Sequence, residues 1–204
     1  MTDWDLFFHT KIRQIFTDKK TVIDIGGGLR IIKEKNNRYD PAREWIRPLL
    51  MNVDYKVLDP VDDYHPDIIG DVHELPFENN SIDSIICIAV LEHVEDPIKA
   101  WKEIQRVLKP GGYTFIYVPF LYYYHAEKGY YGDYWRFTKD TVERLSKPFS
   151  QVEIMPVRGA IETWIKLSPI GRVKFLEPIW RIADRLTGKS RTNQVSGYYV
   201  FLVK

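Results

Sequence analysis

The spacing of apolar residues changes several times along the chain, and each change predicts an element. Leu6, Phe7, Phe8, Ile12, Ile15 and Phe16 fall roughly on one face of a helix over residues 5–16. Residues 21–25 form a β-branched run that stops at Gly26-Gly27-Gly28. Asp40-Pro41 reads as an N-cap followed by proline at the first helical position, opening a helix through Trp45 to Met51 that Pro48 disturbs. Residues 55–58 predict a second strand ending at Asp59, and residues 67–70 a short third. Residues 82–90 are almost continuously apolar, as in a parallel strand buried on both faces. Asp96-Pro97 opens a helix that reaches Leu108, and Pro110-Gly111-Gly112 ends it. A fifth strand covers residues 113–118, Thr138 caps a helix to about Ser146, and residues 151–157 and 198–203 predict the last two strands.

Strands alternating with helices predict an α/β fold, a mostly parallel sheet covered by helices on both faces. The 204 residues suffice for one such domain with a sizeable core. Its parts are an N-terminal helix (1–18), a core (20–157), an insertion (158–195) too long for a hairpin loop, and a last strand (196–204).

Composition narrows the setting. A net charge of +1 makes the whole molecule no electrostatic attractor for nucleic acid, and none is expected as a partner. A single cysteine, Cys87, cannot form an internal disulfide and fits a reducing compartment. The polar, acidic start lacks the apolar stretch of a secretory signal, and no run approaches the ~18 apolar residues of a membrane span. The expected location is cytoplasmic, at most peripheral to the inner membrane surface.

The strongest local signal is Val22-Ile23-Asp24-Ile25-Gly26-Gly27-Gly28. A buried strand delivers the chain to a turn whose glycines let backbone amides approach a ligand, at the sheet edge where such folds bind ligands. A ligand-free glycine turn is the bland alternative. The dinucleotide fingerprint Gly-x-Gly-x-x-Gly fails, because Ile31 takes the last position. Asp59 ends the second strand, where a carboxylate can accept the hydroxyl protons of a ribose; the alternative is a turn residue before Pro60. Asp71 follows the third strand and could accept from an adenine amino group, or cap a turn.

Together with 70–77 (Gly-Asp-Val-His-Glu-Leu-Pro-Phe), 81–87 (Ser-Ile-Asp-Ser-Ile-Ile-Cys), 90–94 (Val-Leu-Glu-His-Val) and 108–112 (Leu-Lys-Pro-Gly-Gly), these segments form an ordered set. The set resembles the class I S-adenosylmethionine-dependent methyltransferases, in particular their type 11 group, over roughly residues 20–157. The resemblance implies a Rossmann-like, seven-stranded αβα sandwich whose last strand is antiparallel, with S-adenosylmethionine as cofactor. It implies that Asp24, Gly26 and Gly28 shape the loop around the methionine part, that Asp59 binds ribose, that Asp71 and backbone of Val72 hold adenine, and that Ile88 lies under the cofactor. The sequence departs from the family in carrying Arg30 where a third glycine is common, and in a longer stretch between Asp24 and Asp59; residues 30–40 read as a polar surface loop.

After the fifth strand comes an aromatic segment, Pro119 to His125 and then Gly132-Asp133-Tyr134-Trp135-Arg136-Phe137-Thr138. It resembles the Asp-Tyr-x-Arg-Phe-Thr element of a type 11 subgroup and is expected to cover the site, with Tyr124, Tyr134, Trp135 and Arg136 as acceptor-binding candidates. The alternative is that Tyr134 and Phe137 pack the loop while Arg136 makes a structural ion pair. Methyl transfer from a sulfonium requires alignment and water exclusion rather than a metal. A hydroxyl acceptor also needs a base; His125 is the first candidate, Asp133 orients or replaces it, and His93 is the other nearby imidazole. The histidines show no zinc-type pairing with cysteine, so no metal is expected.

The insertion from Arg158 to Arg191 carries eight Lys or Arg against three acids, with Ile179, Ile182, Ala183 and Leu186 on one helical face. Such a helix can cover its own domain, contact a second copy through residues 159–191, or lie on an anionic membrane. The function expected is methylation, O-methylation first, of a small-molecule or saccharide acceptor. A methyltransferase-like binding module without turnover is the alternative.

Overall fold

The computed structural model describes residues 1–31, 39–169 and 177–204. Seven strands, β1 (Thr21–Ile25), β2 (Asp54–Asp59), β3 (Ile68–Ile69), β4 (Ile82–Ile88), β5 (Leu108–Pro119), β6 (Gln151–Val157) and β7 (Gly197–Val203), form one sheet in the order β3-β2-β1-β4-β5-β7-β6. β1 pairs in parallel with both β2 and β4, and β4 with β5. β7 runs antiparallel to both of its neighbours, β5 and β6. The chain leaves β1 toward one edge and returns to β4 on the other side. The C-terminal ends of β1 and β4 therefore form the crevice where open α/β sheets bind ligands.

Side chains alternate across β4 because a strand has period two. Ile86 joins Val22, Phe115 and Phe201 against α1 (Asp3–Asp18), which contributes Phe8, Ile12, Ile15 and Phe16. Ile85 and Cys87 join Ile23, Ile116 and Val200 on the opposite face, against Trp101 and Ile104 of α2 (Pro97–Val107) and Val142 of α3 (Lys139–Ser146). Two apolar layers thus sandwich the sheet. Cys87 is fully buried and burial pushes its thiol pKa up, which makes it an inert core group.

Three elements differ from the periodicity. The segment Pro41–Asn52 is a 3-10 helix rather than an α-helix, with Asp40 accepting from the Ala42 amide at its start and Pro48 inside it. Proline has no amide proton to donate to a preceding carbonyl, so the helical ladder is interrupted at Pro48. β5 begins five residues early, at Leu108; pairing jumps from Ile82–Leu108 to Ser84–Tyr113, so Lys109 to Gly112 bulge out of the ladder at the expected turn. The third strand shrinks to two residues.

The insertion folds as α4 (Ala160–Leu167) and α5 (Glu177–Leu186), packed on each other. Asp184 of α5 is buried and accepts from the Ile161 and Glu162 amides, capping the start of α4. The face of α5 read as apolar does not cover the core: Ile179, Ile182 and Leu186 are exposed, Leu186 by 84%. Phe175, Leu176 and most of the loop expected over residues 30–40 lie outside the described residues.

Candidate active site

Asp24 is the last polar residue of β1 and is fully buried. It accepts hydrogen bonds from the Gly28 amide (3.1 Å), the Leu29 amide (3.0 Å) and the Tyr55 hydroxyl (2.7 Å). These bonds fold the glycine turn back onto the strand. The Gly26 amide donates to the Leu58 carbonyl at 2.7 Å, tying the turn to β2. Gly26 has φ +74°, and a Cβ there would lie 2.5 Å from Val90 Cγ2. At Gly28 a Cβ would lie 2.6 Å from the Ile88 carbonyl oxygen, so only glycine permits this approach to β4. Asp24 itself does not line the cleft; it holds the backbone that does.

That cleft has a volume of about 560 Å³. At one end it is lined by Gly26, Gly28, Asp59, Asp71, Val72 and Ile88, six of the seven residues expected to contact cofactor. Asp59 is nearly buried at the end of β2, and its Oδ1 accepts from the Val61 amide at 2.9 Å. Asp71 is exposed; its Oδ1 accepts from the His73 amide and ring Nδ1, while His73 Nε2 accepts from the Asp96 amide. The sequence reading missed Arg43 of the 3-10 segment, which also lines the cleft. Its guanidinium lies over the Phe8 ring, and its Nη1 is buried with no hydrogen-bond partner among the described residues. Burial pushes its pKa down. Arg30 lines the same end at φ +54°.

The other end holds His93, Tyr117, Tyr122, His125 and Tyr131. His93 donates from Nδ1 to the Gly132 carbonyl at 2.6 Å, because a carbonyl can only accept. His125 Nδ1 stands 3.0 Å from the Tyr123 carbonyl and 3.2 Å from Asp133 Oδ2, so it too carries the ring proton. Both Nε2 atoms then face Glu92, at 3.8 Å from His93 and 3.6 Å from His125. Glu92 is buried, and neither carboxylate oxygen has a hydrogen-bond partner among the described residues. The sequence reading quoted Glu92 within a motif and gave it no role. Its signal was available: an acid beside a histidine directly after a fully buried strand.

Asp133 is engaged at both carboxylate oxygens. Arg136 grips it with two bonds, Nη1 to Oδ1 at 2.6 Å and Nη2 to Oδ2 at 2.8 Å, and the His125 amide donates to Oδ2. The Arg136 guanidinium holds the Asp133 carboxyl well below the usual carboxylate range, the wrong direction for a proton acceptor near neutrality. Arg136 also donates to the Tyr122, Tyr123 and Trp135 carbonyls, and does not line the cleft. Trp135 donates Nε1–H to the Val94 carbonyl, Tyr134 covers Gly132, and Tyr124 is 75% exposed. The four acceptor-binding candidates thus staple the aromatic segment or face solvent. Tyrosines 117, 122 and 131 take their place in the cleft. Tyr130 reaches across it, donating to Asp63 at 3.0 Å beside the Tyr64 ring.

A sequence profile of the family described as "Methyltransferase domain" matches residues 44–116. The chain is 27% identical over 132 residues to a tRNA U34 carboxymethyltransferase of Campylobacter curvus, covering 56% of this chain and 40% of that protein. It is 54% identical over 43 residues to a demethylmenaquinone methyltransferase of Staphylococcus aureus, covering 21% of this chain and 18% of that protein. The chain thus spans less than half the length of the curated relatives it matches. Among solved structures, a SAM-dependent methyltransferase from Archaeoglobus fulgidus superposes with a TM-score of 0.59 at 14% identity, covering 99% of this chain and 100% of that one. A putative sarcosine dimethylglycine methyltransferase from Galdieria sulphuraria gives 0.54 at 15% identity over 99% and 84%. Sheet order, glycine turn and these likenesses define a class I methyltransferase fold. Over residues 44–116 the chain is similar to the methyltransferase domain family, whose members use S-adenosylmethionine.

Burial raises the Asp24 pKa to about 6 against three hydrogen bonds that lower it. Its ordinary value is about 4. Between those limits the folded protein keeps a proton that the unfolded chain has lost, so stability falls as pH rises through the window. Relative to Asp24→Asn, the wild type should lose on the order of 2–3 kcal/mol between about pH 4 and pH 7. Urea unfolding of both proteins across that range measures it; parallel curves would contradict the assignment.

Proposed function

We propose that the chain transfers a methyl group from S-adenosylmethionine to an oxygen of a small-molecule or saccharide acceptor. One observation carries the reading: a single cleft joins a glycine turn and two carboxylates at one end to His93 and His125 at the other, with Glu92 buried beside the two imidazoles.

The residues present fit the cofactor. Backbone at Gly26 and Gly28 gives space that any side chain would fill. The Nη1 of Arg43, buried without an acceptor among the described residues, suits the methionine carboxylate. Asp59 would accept from the ribose hydroxyls, Asp71 and the Val72 backbone would hold adenine, and Ile88 would pack beneath. When bound, the cofactor supplies a methyl group already activated on a sulfonium. The chain must then align the acceptor, exclude water and deal with its proton. His93 and His125 line the acceptor end, with Asp133 bonded to the His125 amide.

The exposed apolar side of the insertion favours one partner. Trp164, Leu167, Ile179, Ile182 and Leu186 are exposed, with Arg185 on the same helices, while Lys166 pairs with Glu177 and Arg181 with Glu162 and Glu177. Among the described residues no helix is long and apolar enough to cross a membrane. The α4–α5 pair would instead rest on an anionic lipid surface, apolar groups inward and Arg185 at the headgroups.

Asp59→Ala should weaken cofactor affinity about 10–100-fold, the worth of about 1.5–3 kcal/mol for hydrogen bonds to a charged group. Calorimetric titration with S-adenosylmethionine measures this, and unchanged affinity removes the ribose assignment. Cosedimentation with phosphatidylglycerol vesicles at low salt tests the surface. Wild type should pellet and Ile182→Asp should not; wild type left in the supernatant ends the membrane reading.

A further inference from the structure

The Glu92, His93 and His125 set has more organisation than proton transfer requires. Each imidazole donates from Nδ1 to a fixed backbone carbonyl, of Gly132 and Tyr123, which leaves both Nε2 atoms facing one carboxylate. Second bonds of this kind orient histidines that ligate metals. The three donor atoms lie within 4.8 Å of one another, and they are the metal-type cluster found among the described residues. The carboxylate at their centre is 1% exposed, and the groups that face its Oε1 among the described residues are the two Nε2 atoms, at 3.6 and 3.8 Å. A buried carboxylate beside two imidazoles favours positive charge between them.

We propose that Glu92, His93 and His125 bind one divalent first-row transition ion, of the zinc type. Two imidazole nitrogens and one carboxylate suit such an ion, and a three-ligand set leaves a fourth position open. Ligands about 2.1 Å from a tetrahedral ion stand about 3.4 Å apart. The observed separations from Glu92 are 3.6 and 3.8 Å, so binding needs only small side-chain movements. The sequence hides this site because its third ligand lies 32 residues beyond His93 (93 to 125), on a different loop. That loop is stapled in place by the Asp133–Arg136 pair and by the Tyr134 and Trp135 amides, which donate to the Glu92 carbonyl.

Both histidines line the cleft, so the open position faces the acceptor end. This role rests on the methyltransferase reading. The substrate class is an acceptor that coordinates the ion through a hydroxyl. Coordination lowers that hydroxyl's pKa; the O–H bond breaks, the proton leaves to solvent, and the electron pair stays on the oxygen that attacks. His125 then acts as a ligand, not as the base expected from the sequence.

The test is titration of chelator-stripped full-length protein with Co²⁺, read by visible absorption and calorimetry, followed by displacement with Zn²⁺. One equivalent should bind with the intense bands of a four-coordinate site. Glu92→Gln, His93→Ala and His125→Ala should each weaken binding at least about tenfold, the scale at which altered ligand environments act. His65→Asn, an exposed histidine outside the set, should bind as wild type does. Circular dichroism checks folding, and His93→Ala and His125→Ala serve if Glu92→Gln does not fold. Absence of stoichiometric Co²⁺ and Zn²⁺ uptake by wild type, or equal losses in His65→Asn, overturns the proposal. Parallel titration with S-adenosylmethionine separates the two readings: cofactor binding without metal binding defeats this inference alone.

Discussion

A buried carboxylate at the end of the first strand organises this molecule. Asp24 sits where the sheet offers no solvent, and it spends its oxygens on two amides of the glycine turn and on Tyr55 from the neighbouring strand. Those bonds force a reversal so tight that Gly28 touches the β4 backbone. Everything on the cofactor side follows from that reversal. Asp59 and Asp71 stand beyond the ends of β2 and β3, and Ile88 at the end of β4, so all three converge on the space that the turn leaves open.

The acceptor side rests on a second set of constraints, mounted on the first. β4 ends against the glycine turn and delivers Glu92 and His93 directly. His125 arrives from a loop with little regular structure, and such a segment holds its place only if its polar groups are satisfied. Arg136 does this by bonding Asp133 and three backbone carbonyls, while the Glu92 carbonyl takes the Tyr134 and Trp135 amides. The aromatic segment thus holds an imidazole in place through its own polar bonds.

The sequence carried most of the fold because burial leaves a periodic record. The apolar run over residues 82–90, the β-branched strand before Gly26 and the N-caps Asp96 and Thr138 all map onto real elements. What it concealed was contact between segments far apart in the chain. Arg43 reads as an ordinary helix residue, yet its guanidinium is buried beside the glycine turn. Glu92 reads as one more acid, and only the return of His125 gives it partners. Tyr124 and Trp135 lie outside the cleft for a related reason: composition marks an aromatic loop, but which rings line the cleft depends on staples such as the Trp135–Val94 bond. The α5 helix shows the limit of amphipathic pattern, since a well-formed apolar face can point outward when Asp184 is the residue that anchors it.

The central claim is that the turn held by Asp24 is the floor of a cofactor site. Amide hydrogen exchange with and without S-adenosylmethionine tests it most directly, because it reads the backbone rather than turnover. The account predicts slowed exchange at Gly26 to Arg30, around Val61 and at Val72, with α4 and α5 unchanged. Slowing confined to other regions, or none at saturating cofactor, would contradict it.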